Sequence, residues 1–262
     1  MVLKNILEEV TARINVPEFI IADPVQYPRR FSRQEDIEIV SLLVSHISWG
    51  KREMILRDAA RLLDIMDNSP FSFVAEGDFS AIDPERNIHR TFFGRDLIYF
   101  LNGLRRIYKE YGTLENFARK MEIGSSQCPS WKLAESLNRM MSESNAGSFQ
   151  SIRCLPGNLE TTALKRLNMA LRWLVRDDGI VDMGIWKVLT PSQLFIPLDV
   201  HVGNVGRSLG LIQRKSDDRR TVMELTSRLA EFDAADPVKY DFALFGLGVA
   251  GELDKVIAQM KQ

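Results

Sequence analysis

The chain has 262 residues, 45% of them hydrophobic and 26% charged, which supplies enough apolar surface for one large domain or two closely packed lobes. Its net charge of −1 gives no compositional support for a polyanionic partner, so any nucleic-acid site has to be a local patch. The first thirty residues mix acids with prolines, no window approaches a membrane-spanning apolar run, and Cys128 and Cys154 are too few for an iron-sulfur cluster, so a cytoplasmic protein with reduced thiols and no membrane partner is expected.

Helical spacing appears first in EDIEIVSLLVSHISW, where Ile37, Val40, Leu43, Val44 and Ile47 fall on one stripe. That helix carries His46, which reads either as a hydrogen-bonded core residue or as a group facing a site. Just beyond it, Trp49 stands beside Gly50, Lys51 and Arg52; a large aromatic fills a core or stacks on a flat ligand. The same period returns in DLIYFLNGLRRIYKEYG and in WKLAESLNRMM, which are separated by the turn-rich EIGSSQCPSW. No stretch alternates in the manner of a strand and no internal repeat is present. The chain is therefore expected to be mostly or entirely α.

In CLPGNLETTALKRLNMALRWLVRDD, Thr161 or Thr162 is placed to open a helix running to about Arg176, with Leu164, Leu167, Leu171 and Leu174 as its buried stripe. Lys165, Asn168, Arg172 and Arg176 fall on another face. Residues 151 to 176 carry five Lys or Arg against one Glu, and residues 201 to 220 carry five against two Asp. Such a face is either simply solvated or a surface for phosphates. FIPLDVHVGNVGRSLGL then puts Asp199 where an N-cap is natural, with Gly203, Gly206 and Gly210 permitting close approach of a neighbouring helix or a phosphate. RTVMELTSRLAEF and VKYDFALFGLG continue the helical period, and the second sets Asp241 and Phe245 four residues apart. The three histidines, His46, His89 and His201, lack metal-ligand spacing, so no metal is expected.

SLLVSHIS, the LPG turn followed by TTA and a helix, PLDVHVGNVGRSLGL and KYDFALFGLG together resemble the helix-hairpin-helix DNA glycosylase superfamily, which includes endonuclease III and the archaeal oxoguanine glycosylase. The likeness runs over roughly residues 35 to 250. More narrowly, DPVQYPRRFSRQEDIEIVSLLVSHISWGKR, KRLNMALRWLVRDDGIVDMGIW and DPVKYDFALFGLG look like a bacterial family of unknown function placed in that superfamily. The resemblance implies an all-α fold of two helical lobes with a central cleft, the first at about residues 36–125 and the second at about 126–262 together with 1–35. Damaged duplex DNA would lie in the cleft with the target base flipped between the lobes.

By the same resemblance, Asp199 matches the aspartate that stabilises the developing sugar cation, and Lys165 matches the lysine nucleophile of members that form a Schiff base. The hairpin departs from the usual LPGxGxxTA: Leu159 stands for the second glycine and Thr161 for the usual lysine, with Lys165 one helical turn on. His46, Trp49, Asp241 and Phe245 are the implied base pocket. Lys51, Arg52, Arg166, Arg172, Arg176, His201 and Arg207 are the implied DNA contacts. The function so implied is a base-excision DNA glycosylase with abasic-site lyase activity and no cofactor. A non-catalytic nucleic-acid-binding or structure-sensing protein on the same scaffold is the alternative.

Overall fold

A computed structural model describes residues 2–147 and 155–260. Cys154 and Arg153 lie outside the described residues. Cys128, half-buried, is a free thiol. The described residues are mostly helical: α1 (Val2–Ile14), α2 (Pro17–Ile21), α3 (Gln34–His46), α4 (Arg52–Ile65), α5 (Pro70–Glu76), α6 (Gly94–Tyr111), α7 (Leu114–Lys120) and α8 (Pro129–Ser144) precede the LPG turn, and α9 (Lys165–Val175), α10 (Val200–Ser208), α11 (Arg219–Ala230), α12 (Asp241–Ala250) and α13 (Leu253–Met260) follow it. One small antiparallel pair, β1 (Asn87–His89) and β2 (Phe92–Phe93), makes the chain mostly rather than entirely α. Its tight turn is made by Arg90 at a positive φ of 50°.

Local chemistry accounts for the helix ends. Pro17, Pro70 and Pro129 open α2, α5 and α8, where a missing N–H costs nothing. Thr113, Asp199 and Asp218 cap α7, α10 and α11 by accepting from Asn116, Val202 and Thr221 amides at 3.0 Å each. α9 begins at Lys165, later than Thr161 or Thr162. Leu164 is left-handed, with φ 52°, which breaks the helix there, and the preceding turn is tied down elsewhere. Trp131 Nε1 donates to the Thr162 carbonyl, and the Arg219 amide donates to the Thr161 carbonyl, both at 3.0 Å. The predicted stripe of Leu164, Leu167, Leu171 and Leu174 is buried.

α3 lies at the centre, with every residue from Ile37 to His46 buried. α9 and α5 pack on it, while α6 packs on α8, α5 and α7. α12 packs between α1 and α10. A Cβ on Gly246 would sit 2.7 Å from Ile14, and one on Gly248 3.3 Å from His201, so the FGLG spacing sets how closely these helices approach. The buried apolar side chains form one contiguous cluster from Leu7 to Val256.

Between α9 and α10 the chain runs without an α-helix, held by two carboxylates of the first helices. Glu38 of α3, fully buried, accepts from Trp186 Nε1 at 2.8 Å, from the Leu114 and Glu115 amides, from Tyr108 and from Gln34. Glu115 accepts from the Lys187 and Val188 amides. This tether delivers the PLDV segment to the N-terminal end of α9. No helix among the described residues is long and apolar enough to cross a membrane.

Candidate functional site

Two connected cavities open between α9, α10 and α12 on one side and the turn from α3 to α4 on the other. The inner one, of about 90 Å³, is walled by Phe19, Met169, Phe242 and Phe245 and edged by Asp23, Arg52, Lys165, Arg172, Asp199 and Asp241. The outer groove, of about 960 Å³, adds Trp49, Gly50, Thr91, Arg166, His201, Val200 and Val249. Ser48, Arg52, Lys165, Asp199 and Phe245 line both.

The charges of the inner cavity come as three pairs. Lys165 Nζ lies 4.0 Å from Asp199 Oδ2, both side chains being partly exposed. Arg52 lies 3.9 Å from Asp23 and stands over the Phe245 ring at 5.2 Å. Arg172 Nη1 donates to Asp241 and stacks over Phe242 at 4.3 Å. Burial pushes the Asp241 carboxyl up to about 6, with the Asp199 charge acting the same way and Arg172 and Lys165 opposing. Burial likewise raises Asp23, against Arg172, Arg52 and Lys165. The cavity is thus formally neutral, aromatic on its walls and polar on its edges, the usual chemistry of a pocket for a flat polar ring.

Asp199 combines both roles open to it in sequence. One carboxylate oxygen caps α10 through Val202, and the other faces Lys165. Trp49 and His201 line the outer groove, and Asp241 and Phe245 the inner cavity. Arg166 sits 5.1 Å above Trp49 and donates to the His46 carbonyl at 2.8 Å. Lys51 is exposed at the N-cap of α4, beside the groove but outside its wall.

Four expected positions have surroundings that the local sequence does not indicate. His46 is 3% exposed, packs against Phe92 and Phe100, and borders a third hollow that it shares with Lys165 and Arg166, while Ser48 lines the inner cavity and the groove. Arg172 and Arg176 do not form a solvated or phosphate-binding face. Arg172 is 4% exposed and pairs with Asp182 and Asp241, while Arg176 is 6% exposed and pairs with Asp178, Asp182 and Asp236. Arg207 donates to Asp217 and to the Arg214 and Lys215 carbonyls, which commits it to bracing the turn after α10. Gly203 makes room for that brace, since a Cβ there would lie 2.6 Å from Asp217.

Asp23, Phe19, Ser48, Met169 and Phe242 were not singled out in the sequence. Asp23 carried one usable signal: an Asp before a Pro reads as a cap, and its Oδ1 does accept from Val25. Nothing in the local pattern announces that the N-terminal segment folds onto α12. Among the described residues, no group of three His, Cys, Asp or Glu is placed to hold a metal ion.

A family model described as "Protein of unknown function (DUF2400)" matches residues 23–250. No curated protein and no solved structure matches the chain.

Proposed function

The chain belongs to the DUF2400 family of proteins of unknown function, and we propose that it is a base-excision DNA glycosylase with abasic-site lyase activity. The observation that carries the reading is the Lys165–Asp199 pair at 4.0 Å, at the junction of a small aromatic-walled pocket and a large open groove. A pocket of that kind suits a flipped base, and the groove suits the strand it came from. The two-lobed arrangement belongs to the same proposal. It is supported by α10, α12 and α1 packing together on one side of the groove while α3, α5, α6 and α8 pack together on the other.

In this mechanism Asp199 takes a proton from the Lys165 ammonium. The freed amine forms a bond to C1′ of the sugar as the glycosidic bond breaks, and the base leaves with that bond's electron pair and takes up the proton that Asp199 received, which restores the carboxylate. The Asp199 carboxylate offsets the positive charge that develops on the sugar. Opening of the sugar ring then gives an imine between Lys165 and C1′, from which strand cleavage follows by β-elimination.

The test is borohydride trapping of the full chain on duplexes carrying a panel of base lesions and an abasic site. A covalent adduct lost in Lys165→Ala supports the reading. Adduct formation by Lys165→Ala at the undiminished rate removes Lys165 from the chemistry. Absence of both trapping and excision on every duplex, with salt-sensitive binding retained, replaces the enzyme by the nucleic-acid-binding alternative.

A further inference from the structure

We infer that His89, buried between the Asp58 carboxylate and the Trp49 carbonyl, is the positioning residue for the aromatic rim of the cleft and fixes Trp49 through its backbone carbonyl. The inference concerns the rim itself and holds whatever occupies the groove. His89 is 0% exposed and Asp58 is 2% exposed. His89 Nδ1 lies 2.8 Å from Asp58 Oδ2, and His89 Nε2 lies 2.8 Å from the Trp49 carbonyl oxygen. A carbonyl oxygen only accepts, so Nε2 carries a proton. An ionised carboxylate also only accepts, so Nδ1 carries one as well. Asp58 is ionised because, although burial works against it, hydrogen bonds from Arg57 and His89 hold its carboxyl below the ordinary range.

A buried charged pair is costly to bury, and apolar side chains of the same volume fill a core as well or better. What the pair does beyond filling space is set by its neighbours. The Trp49 ring meets the His89 ring edge-on at 4.5 Å, so His89 grips both the carbonyl and the side chain of one residue. Gly50 follows at φ 102°, with Arg90 packed so closely that a Cβ would lie 2.4 Å from its guanidinium. Thr91, two residues past His89, lines the same groove as Trp49 and Gly50. The β1–β2 turn is therefore a clamp on the segment that leads into Arg52. The charged groups around it are Asp58, Arg57 and Arg61 on α4, Arg90 on the turn and Arg166 of α9 above Trp49. Losing the Nδ1 proton would set a nitrogen lone pair against a carboxylate, and the rim would lose its anchor.

Two readouts test this on the full chain without any nucleic acid. Long-range ¹H–¹⁵N spectra of histidine-labelled protein report the ring protons directly, with His89→Gln identifying the resonance. Acrylamide quenching reports Trp49, because Trp131, Trp173 and Trp186 are at most 3% exposed whereas Trp49 is partly exposed. Both His89 nitrogens should carry a proton in the folded protein, and Trp49 should be quenched more readily in Asp58→Asn and in His89→Gln than in the unmodified protein. A ring nitrogen without a proton, or Trp49 quenching unchanged in Asp58→Asn, would overturn the inference. If His89→Gln does not fold, the ring protons of the unmodified protein and the quenching of Asp58→Asn decide.

Discussion

Lys165 Nζ lies 4.0 Å from one oxygen of Asp199, and the other oxygen of that carboxylate holds the first turn of α10. The two oxygens can be separated experimentally, because Asn caps a helix about as well as Asp while carrying no charge. Asp199→Asn should therefore melt near the unmodified protein and release base far more slowly in single-turnover assays. Asp199→Ala should lose both, with a stability cost of about 1 kcal/mol in urea titration. Equal excision rates for Asp199→Asn and the unmodified protein would reduce Asp199 to a cap.

Arg172 and Arg176 are expected to matter for folding and not for salt dependence. Arg172→Met leaves Asp182 and Asp241 buried without their shared partner, a loss of about 3–5 kcal/mol by the behaviour of broken buried pairs. In the proposed complex, the cations that line or adjoin the groove are Lys51, Arg52, Lys165 and Arg166. Replacing Lys51 by Ala should reduce the slope of log affinity against log salt on duplex DNA by about 0.9 if it neutralises one phosphate. An Arg172 variant that stays fully stable while losing the same slope would put Arg172 back on the surface.

The charge network predicts the direction of pH dependence. Asp182 and Asp241 are each pushed up to about 6, in both cases mainly by burial, with a neighbouring carboxylate adding to it and the arginines opposing. Groups raised above their ordinary value of 3.8 favour the folded state in their protonated form, so their contribution is full below that value and is lost as pH rises through about 6. Asp178, Asp218 and Asp233 are lowered and work the other way, losing their contribution only as pH falls through their own depressed values. The melting temperature should accordingly rise as pH is taken from 8 to 5, and Asp241→Asn should flatten that rise. A melting temperature that falls steadily over this interval would contradict the assignment.

Glu38 supplies a test of the scaffold away from the cleft. Five donors converge on its two oxygens, including the first two amides of α7 and the indole of Trp186. Glu38→Gln turns one acceptor into an NH₂ group facing donors, and should destabilise by about 1–3 kcal/mol in denaturant titration. Because Glu38 tethers the segment that carries Asp199, excision by the folded fraction should fall as well. A neutral effect on stability would mean that the tether lies elsewhere.

Much of this protein was legible without its tertiary structure. Apolar spacing marks α3, α6, α8, α9, α11 and α12, because a helix must bury one stripe whatever it packs against. Asp199 is legible as a cap and Lys165 as a lysine near the start of the helix after the LPG turn. α9 starts about one turn later than the local pattern indicates, since the left-handed Leu164 stops it and the preceding turn is held by bonds from Trp131 and Arg219 in other parts of the chain.

The fate of the polar side chains was decided only by folding. A period of 3.6 residues says which face is apolar; it does not say whether a charge on another face meets water or a distant carboxylate. Arg172 meets Asp241 across 69 positions and Arg176 meets Asp236 across 60, so a face that is basic by sequence is neutralised in the core. The two-residue step from His46 to Ser48 past the end of α3 sends the imidazole against Phe100 and the serine into the cleft. Asp23 and Phe19 reach the pocket because the N-terminal segment packs back against α12, more than 200 residues away by the numbering of Phe19 and Phe242. The sequence determined the helices and the two residues proposed to react; tertiary packing decided which of the remaining charges face the groove and which are paired in the core, because pairing depends on neighbours that no local pattern encodes.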